Sequence, residues 1–229
     1  MHPTTFEPDS IIYYEVGLAG SHIQEMIGIA NEYYSYGQNG VGLNNETGSI
    51  VYVKKGNHRS KERVFIVHRL DRDTSGVLLF AKSEKAKIYL QEQWTNFSKT
   101  YFAVVHGIPS EKEGTITTYL LENKAHRMYS SKDETKGKYS KTGYKIVQSG
   151  RNFSLLEVAL YTGRKNQIRV HLSEKGHPVV GDKAYGKGDK GVKGLALHAA
   201  KLSITHPHSK EEMIFETPAP SYFKSLAKG

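Results

Sequence analysis

The sequence predicts an α+β protein built on a mixed, largely antiparallel central β-sheet with flanking helices. From residue 64 onward, short apolar and β-branched runs follow one another with turn residues between them, a pattern typical of antiparallel strands. Two segments with helical spacing interrupt these runs. Many strands with few helices among them indicate the α+β class.

The helices are predicted at three places. A capping box and a stripe of apolar residues indicate a helix over 22–35. A second helix is predicted over 84–96 with a cap at Ser83, and a third over 166–175, closed by Gly176. The predicted strands are VFIV (64–67), GVLLFAK (76–82), TYFAVVHG (100–107), GTITTYLL (114–121), KYSKTGYKIVQ (138–148), FSLLEVALY (153–161), LALHAAKLSI (195–204) and EMIFE (212–216).

One polar segment, 122–141, is rich in lysine and carries tyrosines, which indicates a long loop or an exposed hairpin. A solvated surface loop is one interpretation. A basic segment with aromatic residues is also able to hold single-stranded RNA by phosphate contacts and base stacking.

The composition narrows the class of protein. The formal net charge of +9 favours polyanionic partners such as nucleic acid or an anionic membrane, although a merely basic soluble enzyme fits as well. The absence of cysteine excludes disulfides, iron–sulfur clusters and thiolate zinc sites. We find neither an apolar segment long enough to cross a bilayer nor a secretory signal, so we expect a cytoplasmic protein without membrane contact.

Three further patterns resemble known functional motifs but do not match them. GDKAYGKG, 181–188, has glycines at the spacing of a phosphate-binding loop, but Gly188 stands where Ser or Thr would reach a magnesium ion. HRLD resembles a kinase catalytic loop, but an extra leucine intervenes. His206 and His208 form the densest histidine cluster without a third ligand at suitable spacing, so we expect no metal site.

The chemistry-bearing segment is HRLDRDTSG, 68–76. Asp71 stands between arginines and precedes Thr-Ser-Gly, read as a turn at the mouth of the next strand. Alone, this pattern is equally a surface ion pair. A second segment places Arg164, Lys165 and Arg169 at the entry of the predicted helix 166–175, where an anion would be attracted. In a third segment, Tyr101 stands near the start of a predicted strand.

Four ordered motifs resemble the RluA family of RNA pseudouridine synthases. They are HRLDRDTSGVLLFAKS, KTYFAVVHG, GRKNQIRVHLSEKGHPVVGDKAYG, and LALHAAKLSITHP followed by FETPAP, and they cover residues 64–220. The resemblance implies a single catalytic domain over 1–229, with a divergent part at 1–63, and a basic active-site cleft. It further implies isomerisation of uridine in ribosomal or transfer RNA, without a cofactor.

The resemblance also assigns roles to residues. It implies that Asp71 is the catalytic carboxylate, that Tyr101 stacks on the uracil and serves in proton removal, and that Arg169 pairs with Asp71. It implies that Arg69 enters the RNA in place of the extruded uridine and that Leu197 packs on the uracil. The residues expected to contact substrate or RNA are Arg69, His68, Thr74, Arg164, Lys165, Asn166, Gln167 and Leu197.

Two departures from the family pattern leave an alternative open. The early Asn-Lys-Pro motif is missing, and Asn166 stands where the family commonly has His. The alternative is a catalytically impaired RNA-binding or RNA-folding factor on the same scaffold. A glycosidase would need a second catalytic carboxylate, which the motifs do not supply. With ten residues before the first predicted strand, we expect the branch without an N-terminal RNA-binding module, and a monomer without an obligate protein partner.

Overall fold

The structure is a computed structural model that describes residues 65–186, 189, 192 and 194–228, together with the backbone of Ile11–Val16, Gly40–Asn44 and Ser49–Val53. The described residues fall into two compact units. The first comprises those up to Phe97 and Ser203–Phe215, and the second comprises Ser98–Leu202 and those from Glu216 onward. The helix predicted over 22–35 lies outside the described residues.

The first unit contains antiparallel strands and one helix. Strands β1 (Ile11–Val16) and β4 (Phe65–Ile66) both pair with β5 (Ser75–Ala81), and β2 (Gly40–Asn44) pairs with β3 (Ser49–Val53). Helix α1 (Glu84–Glu92) follows β5. The end of β11 (Leu197–Thr205) and β12 (Glu212–Glu216) form a hairpin in this unit.

The second unit contains most of the sheet. Its strands are β6 (Ser98–His106), β7 (Glu113–Glu122), β8 (Met128–Ser131), β9 (Lys138–Ser149) and β10 (Phe153–Leu160), in the spatial order β11-β6-β10-β9-β7-β8. The pairs β6–β10, β10–β9, β9–β7 and β7–β8 are antiparallel. Helices α2 (Gln167–Glu174) and α3 (Ser221–Leu226) complete the unit.

The core of the second unit joins the sheet to both helices. Apolar residues of β6 and β10 pack in one cluster with Ile168 and Leu172 of α2 and with Phe223 of α3. Helix α2 presents these residues on one face because they recur at helical spacing. A second cluster joins Val170 of α2 to Tyr185 and to the β7–β8 hairpin.

The predicted fold class is confirmed, and so are the predicted strands after residue 64 and the two helices that follow them. The Ser83 hydroxyl accepts a hydrogen bond from the Ala86 N–H at 3.1 Å, which is the predicted cap of α1. Segment 122–141 contains β8, so the hairpin interpretation is correct. No helix in the described part of the chain has the length and apolar character that crossing a bilayer requires.

One predicted turn is displaced. The turn at the mouth of β5 was placed at Thr-Ser-Gly, but Ser75 and Gly76 already belong to the strand. The turn instead covers Asp71–Thr74, closed by the Thr74 N–H, which donates to the Asp71 carbonyl at 3.0 Å. The candidate catalytic carboxylate therefore lies in the turn itself.

Candidate active site

The turn that carries Asp71 is held by the strand behind it. Asp71 is half-buried, whereas Arg69 and Arg72 are exposed. Asp73 has a positive φ of 69°, a conformation that Asp adopts more readily than most residues. All seven residues of β5 are buried, so the turn projects from a rigid element. Exposure leaves Arg69 in a position compatible with its predicted entry into RNA.

His68 fixes the approach to this turn. Its Nε2 accepts a hydrogen bond from the Leu79 N–H of β5 at 3.0 Å, and its ring stacks on Trp94 at 4.4 Å. Gln91 of α1 adds a hydrogen bond to the Val67 carbonyl at 3.0 Å. His68 therefore has a structural role that the sequence did not indicate, and its predicted contact with RNA stays a prediction.

Thr74, the last residue of the turn, is buried. Its hydroxyl makes no hydrogen bond with any residue that the structure describes. A buried hydroxyl without a hydrogen-bond partner is energetically costly. The substrate contact predicted for Thr74 stays a prediction.

In the second unit, Arg169 is clamped from several sides. Its Nε and Nη2 donate to the two oxygens of Asp182 at 2.7 Å each, and its Nη1 donates to the Asn166 side-chain oxygen at 3.1 Å. The guanidinium carbon lies 5.1 Å from the centroid of the Tyr185 ring. A bidentate ion pair combined with a cation–π contact holds a guanidinium in one orientation.

The surroundings of Asp182 favour its ionised form. Burial alone would raise its pKa, but hydrogen bonds from Arg169 and from the backbone of Tyr185 and Ala184 outweigh burial and lower it below the usual range. The preceding Gly181 has a φ of +79°, and a Cβ there would lie 1.9 Å from the Gly194 carbonyl oxygen. Only glycine therefore fits the turn that aims Asp182 at Arg169.

Asn166 takes part in the same network. Its backbone is left-handed, with a φ of 55°, which Asn tolerates well. Its side-chain oxygen accepts from Arg169, and its Nδ2 donates to the Tyr185 hydroxyl at 3.1 Å. The residue that departs from the family pattern thus braces Arg169. Its predicted contact with RNA stays a prediction.

Gln167 points inward. It is 2% exposed, and its Nε2 donates to the Lys141 carbonyl at 3.0 Å and to the Thr142 hydroxyl at 2.8 Å. Its Oε1 accepts from the Thr162 hydroxyl at 2.7 Å and from the Arg164 N–H at 3.1 Å. Both ends of the amide are therefore occupied inside the protein, and the predicted contact of Gln167 with RNA stays a prediction.

Arg164 and Lys165 lie at the surface before α2. The Arg164 Nε donates to the Tyr139 carbonyl at 3.2 Å. The Lys165 Nζ lies 2.5 Å from a Glu122 oxygen and donates to the His126 carbonyl at 3.2 Å, which ties the loop to the β7–β8 hairpin. Both cations are accessible to phosphate in part, and their RNA contacts stay predictions.

His171 joins α2 to the sheet. It is 1% exposed and lies 2.9 Å from the hydroxyls of Thr142 on β9 and Thr118 on β7. Burial lowers the pKa of His171 to about 4, partly offset by the nearby Glu174 carboxylate. A neutral imidazole supplies one donor and one acceptor, which matches one hydroxyl on each side.

Tyr101 and Leu197 meet the same core. Tyr101 of β6 is half-buried and packs against the cluster that includes Leu197, which is 2% exposed at the start of β11. The structure therefore brings Tyr101 and Leu197 to one core, beside the helix that carries Arg169. The contact of Leu197 with uracil and the pairing of Arg169 with Asp71 stay predictions.

Sequence reasoning missed Asp182 and Tyr185. Both lie in GDKAYG, which drew attention only as a failed phosphate-binding loop. Nothing in that segment of the sequence indicates a contact with Arg169, which lies 13 residues earlier in the chain. No cluster of three or more potential metal ligands occurs within the described residues.

Comparison with known proteins decides the family. The family model described as RNA pseudouridylate synthase matches residues 44–174, a range that contains Asp71, Tyr101 and Arg169. This chain belongs to the RNA pseudouridine synthase family. Relatives named ribosomal large subunit pseudouridine synthase C and D agree with the RluA resemblance.

The curated relatives of this chain are longer proteins. The uncharacterized RNA pseudouridine synthase YhcT of Bacillus subtilis is 38% identical over 166 residues, which is 71% of this chain and 55% of YhcT. Ribosomal large subunit pseudouridine synthase D of Nitrosomonas europaea is 37% identical over 175 residues, 72% of this chain and 50% of the relative. The chain thus spans about half the length of the curated relatives it matches.

Solved structures support the fold. Human RNA pseudouridylate synthase domain containing 4 superposes with a TM-score of 0.68 at 20% identity and covers 96% of this chain, with 89% of its own length matched. Human RNA pseudouridylate synthase domain containing 1 gives 0.66 at 25% identity, with 96% and 87% covered. Both agree with a pseudouridine synthase fold.

Proposed function

We propose that this chain isomerises specific uridines in structured RNA, ribosomal or transfer, to pseudouridine, with Asp71 as the catalytic carboxylate. The observation that carries the proposal is the family match over 44–174, which includes Asp71, Tyr101 and Arg169. The turn geometry supports it, because Asp71 is half-buried in the turn that precedes a fully buried strand. A carboxylate held in this way has little freedom to lose when substrate binds.

The reaction needs a carboxylate beside the sugar. The bond between the sugar and the uracil ring nitrogen breaks, the uracil turns, and a ring carbon bonds to the sugar in its place. Asp71 either attacks the sugar covalently or abstracts a sugar proton. The ring carbon then loses its proton, for which the Tyr101 hydroxyl is our candidate base. The atoms balance without an added reactant, in line with the proposed absence of a cofactor.

Arg169 is proposed to keep Asp71 ionised. Its guanidinium is fixed by Asp182, Asn166 and the Tyr185 ring. Those contacts fix the position and the plane of the cation. A cation in a fixed position stabilises a carboxylate without the cost of reorganising during the reaction.

The target uridine has to leave its stacked position to reach Asp71. We assign the vacated space to Arg69, whose exposed guanidinium can stack on bases and bind phosphates. Arg164 and Lys165 are proposed to hold nearby phosphates. The protein is proposed to act in the cytoplasm as a monomer.

Release of tritium from RNA labelled on the uracil ring carbon tests the proposal. Labelled ribosomal and transfer RNA pools, assayed separately, identify the substrate class. We expect release from one pool. Release from neither pool, by protein that still binds RNA, would favour the alternative of an RNA-binding or RNA-folding factor, which the missing Asn-Lys-Pro motif motivates.

A further inference from the structure

One face of the sheet in the second unit is turned away from α2. On β7, β8 and β9, the side chains of Thr118, Ser130 and Thr142 contact His171 or Glu174 of α2 and so mark the inner face. Because successive side chains of a strand alternate, their sequence neighbours point to the opposite side, which we call the outer face.

The outer face carries one tyrosine on or beside each of four neighbouring strands. They are Tyr129 of β8, Tyr119 of β7, Tyr139 of β9 and Tyr161 directly after β10. Tyr129, Tyr139 and Tyr161 are 44%, 46% and 50% exposed. The rings of Tyr119 and Tyr139, which face each other across β7 and β9, lie 5.9 Å apart at 67°.

Small residues beside Tyr161 leave a groove of about 470 Å³ in the outer face. The charged residues in its lining are Glu113, Lys145 and Glu157. Thr115, Gly143 and Ala159 stand side by side across β7, β9 and β10 and form its floor. Tyr161 forms one wall, and a Cβ on Gly143 would lie 3.1 Å from its ring. A flat ring can therefore lie in the groove beside Tyr161.

The tyrosine end of the outer face is cationic. The Lys141 Nζ lies 4.8 Å from the centroid of the Tyr161 ring, and the exposed Arg164 is bonded to the Tyr139 carbonyl. Segment 122–141 contains six lysines and arginines against three acidic residues. Aromatic rings among cations match a chain of bases and phosphates, because every base can stack and every phosphate is anionic.

We propose that the outer face binds a single-stranded segment of the substrate RNA, stacking about two or three bases on the tyrosines, as four-stranded sheets with aromatic residues on an open face do. The inference rests on the proposed function for the identity of the RNA. Tyr101 stands opposite Val158, which stands opposite the inward-facing Tyr144, so Tyr101 belongs to the inner face. The outer face therefore holds nucleotides other than the target uridine.

Binding of short, fluorescein-labelled, single-stranded RNA of mixed sequence, followed by anisotropy over a range of salt concentrations, tests the inference. We expect Tyr139→Ala and Tyr161→Ala each to weaken binding by about ten-fold, because each removes a stacking ring. The salt dependence should keep its slope, since phosphate contacts are retained. Tyr139→Phe and Tyr161→Phe should bind like wild type, and so should Ile108→Ala, which alters an exposed apolar residue outside these strands.

Equal RNA affinity of wild type and the two alanine variants would overturn the inference. So would a wild-type dimer that Tyr161→Ala separates in sedimentation, because the face would then be covered by a second copy. Tritium release by wild type reports on the proposed function independently: release without tyrosine-dependent binding overturns only this inference, and tyrosine-dependent binding without release overturns only the proposed function.

Discussion

The guanidinium of Arg169 and the carboxylate of Asp182 meet as a fork, with two nitrogen–oxygen distances of 2.7 Å. The Arg169 side chain is 11% exposed and that of Asp182 is fully buried. The loop after α2 thus supplies the carboxylate that holds the Arg169 cation. The proposed reaction needs that cation in one fixed position.

We predict that Asp182→Asn lowers the free energy of unfolding by about 3 kcal/mol, since it removes the charge of a bidentate partner from a buried guanidinium. Urea denaturation measures the change. Glu122→Gln is the matched control, because the Lys165–Glu122 pair is 39% exposed on both sides and solvent screens it. A comparable loss of stability in both variants would contradict the importance given to burial.

The same carboxylate predicts a dependence of stability on pH. Since the pKa of Asp182 is lowered by folding, the stability that Asp182 contributes to the fold should be lost as the pH falls through its folded pKa.

A second prediction concerns the stability that His171 contributes to the fold at moderately acidic pH. Its pKa falls from 6.5 in the unfolded chain to about 4 in the fold, so the unfolded state takes up the proton first as the pH drops. His171 should therefore stabilise the fold fully above pH 6.5 and lose up to about 3 kcal/mol of that contribution towards pH 4. Unfolding measured across this range should show a shallower decline for His171→Gln than for wild type.

His198 accounts for the decline that remains. Burial lowers the pKa of His198 to about 4 as well, partly offset by the Thr217 backbone. His198→Gln should flatten the profile in the same pH window, and the double variant should flatten it further. Identical pH profiles for wild type and both single variants would refute the assignment.

The sequence predicted the elements better than the directions of their polar side chains. Helix α1 was readable because Ser83 caps it and Ala86 and Leu90 recur at helical spacing. In GRKNQIR, by contrast, five of the seven residues are polar or charged, and the pattern gives no sign that Gln167 faces the core. Its orientation follows from hydrogen bonds to Lys141 and Thr142, which lie more than 20 residues away in the chain.

The support of Arg169 was unreadable for a similar reason. Asp182 lies 13 residues beyond it, past the helix end at Gly176 and a tight turn at Gly181. Such contacts depend on the path of the chain in space, whereas motif spacing records only the distance along it. The left-handed Asn166 is a further example, because its support of Arg169 depends on its hydrogen bond to Tyr185.

A third prediction separates the structural role of Gln167 from RNA binding. Gln167→Ala removes four hydrogen bonds, including those in which the Arg164 N–H and the Thr162 hydroxyl donate to Gln167, so the free energy of unfolding should fall by about 2 kcal/mol or more. Gln167→Glu retains the acceptor but removes both donors and should also destabilise. Thermal melting measures both. Weaker RNA binding in a variant that melts like wild type would instead support the predicted contact of Gln167 with RNA.

A fourth prediction concerns the lysines of segment 122–141. Lys132→Ala and Lys138→Ala should each weaken RNA binding across sequences and reduce the slope of log affinity against log salt by about 1, as loss of a phosphate contact does. Lys136→Ala is the control within the same segment, because its Nζ already lies 2.9 Å from Asp133. An unchanged slope in the first two variants would place these lysines outside the RNA interface.

The last prediction concerns the two carboxylates of the turn before β5. Asp71→Asn keeps the size and most hydrogen bonds of the side chain but removes its charge, and with it the proposed nucleophile or base. The variant should fold and bind RNA, while single-turnover formation of pseudouridine should fall by at least about four orders of magnitude.

Asp73→Asn is the internal control for this loss. Asp73 is exposed and has a φ of 69°, a conformation that Asn adopts as readily as Asp, so the substitution should cost neither stability nor much activity. If Asp71 only closed the turn, Asp71→Asn would instead lower the melting temperature and leave the activity of each folded molecule near wild type. Melting and single-turnover measurements on both variants separate the two cases, because a catalytic carboxylate affects the rate and a turn residue affects the stability.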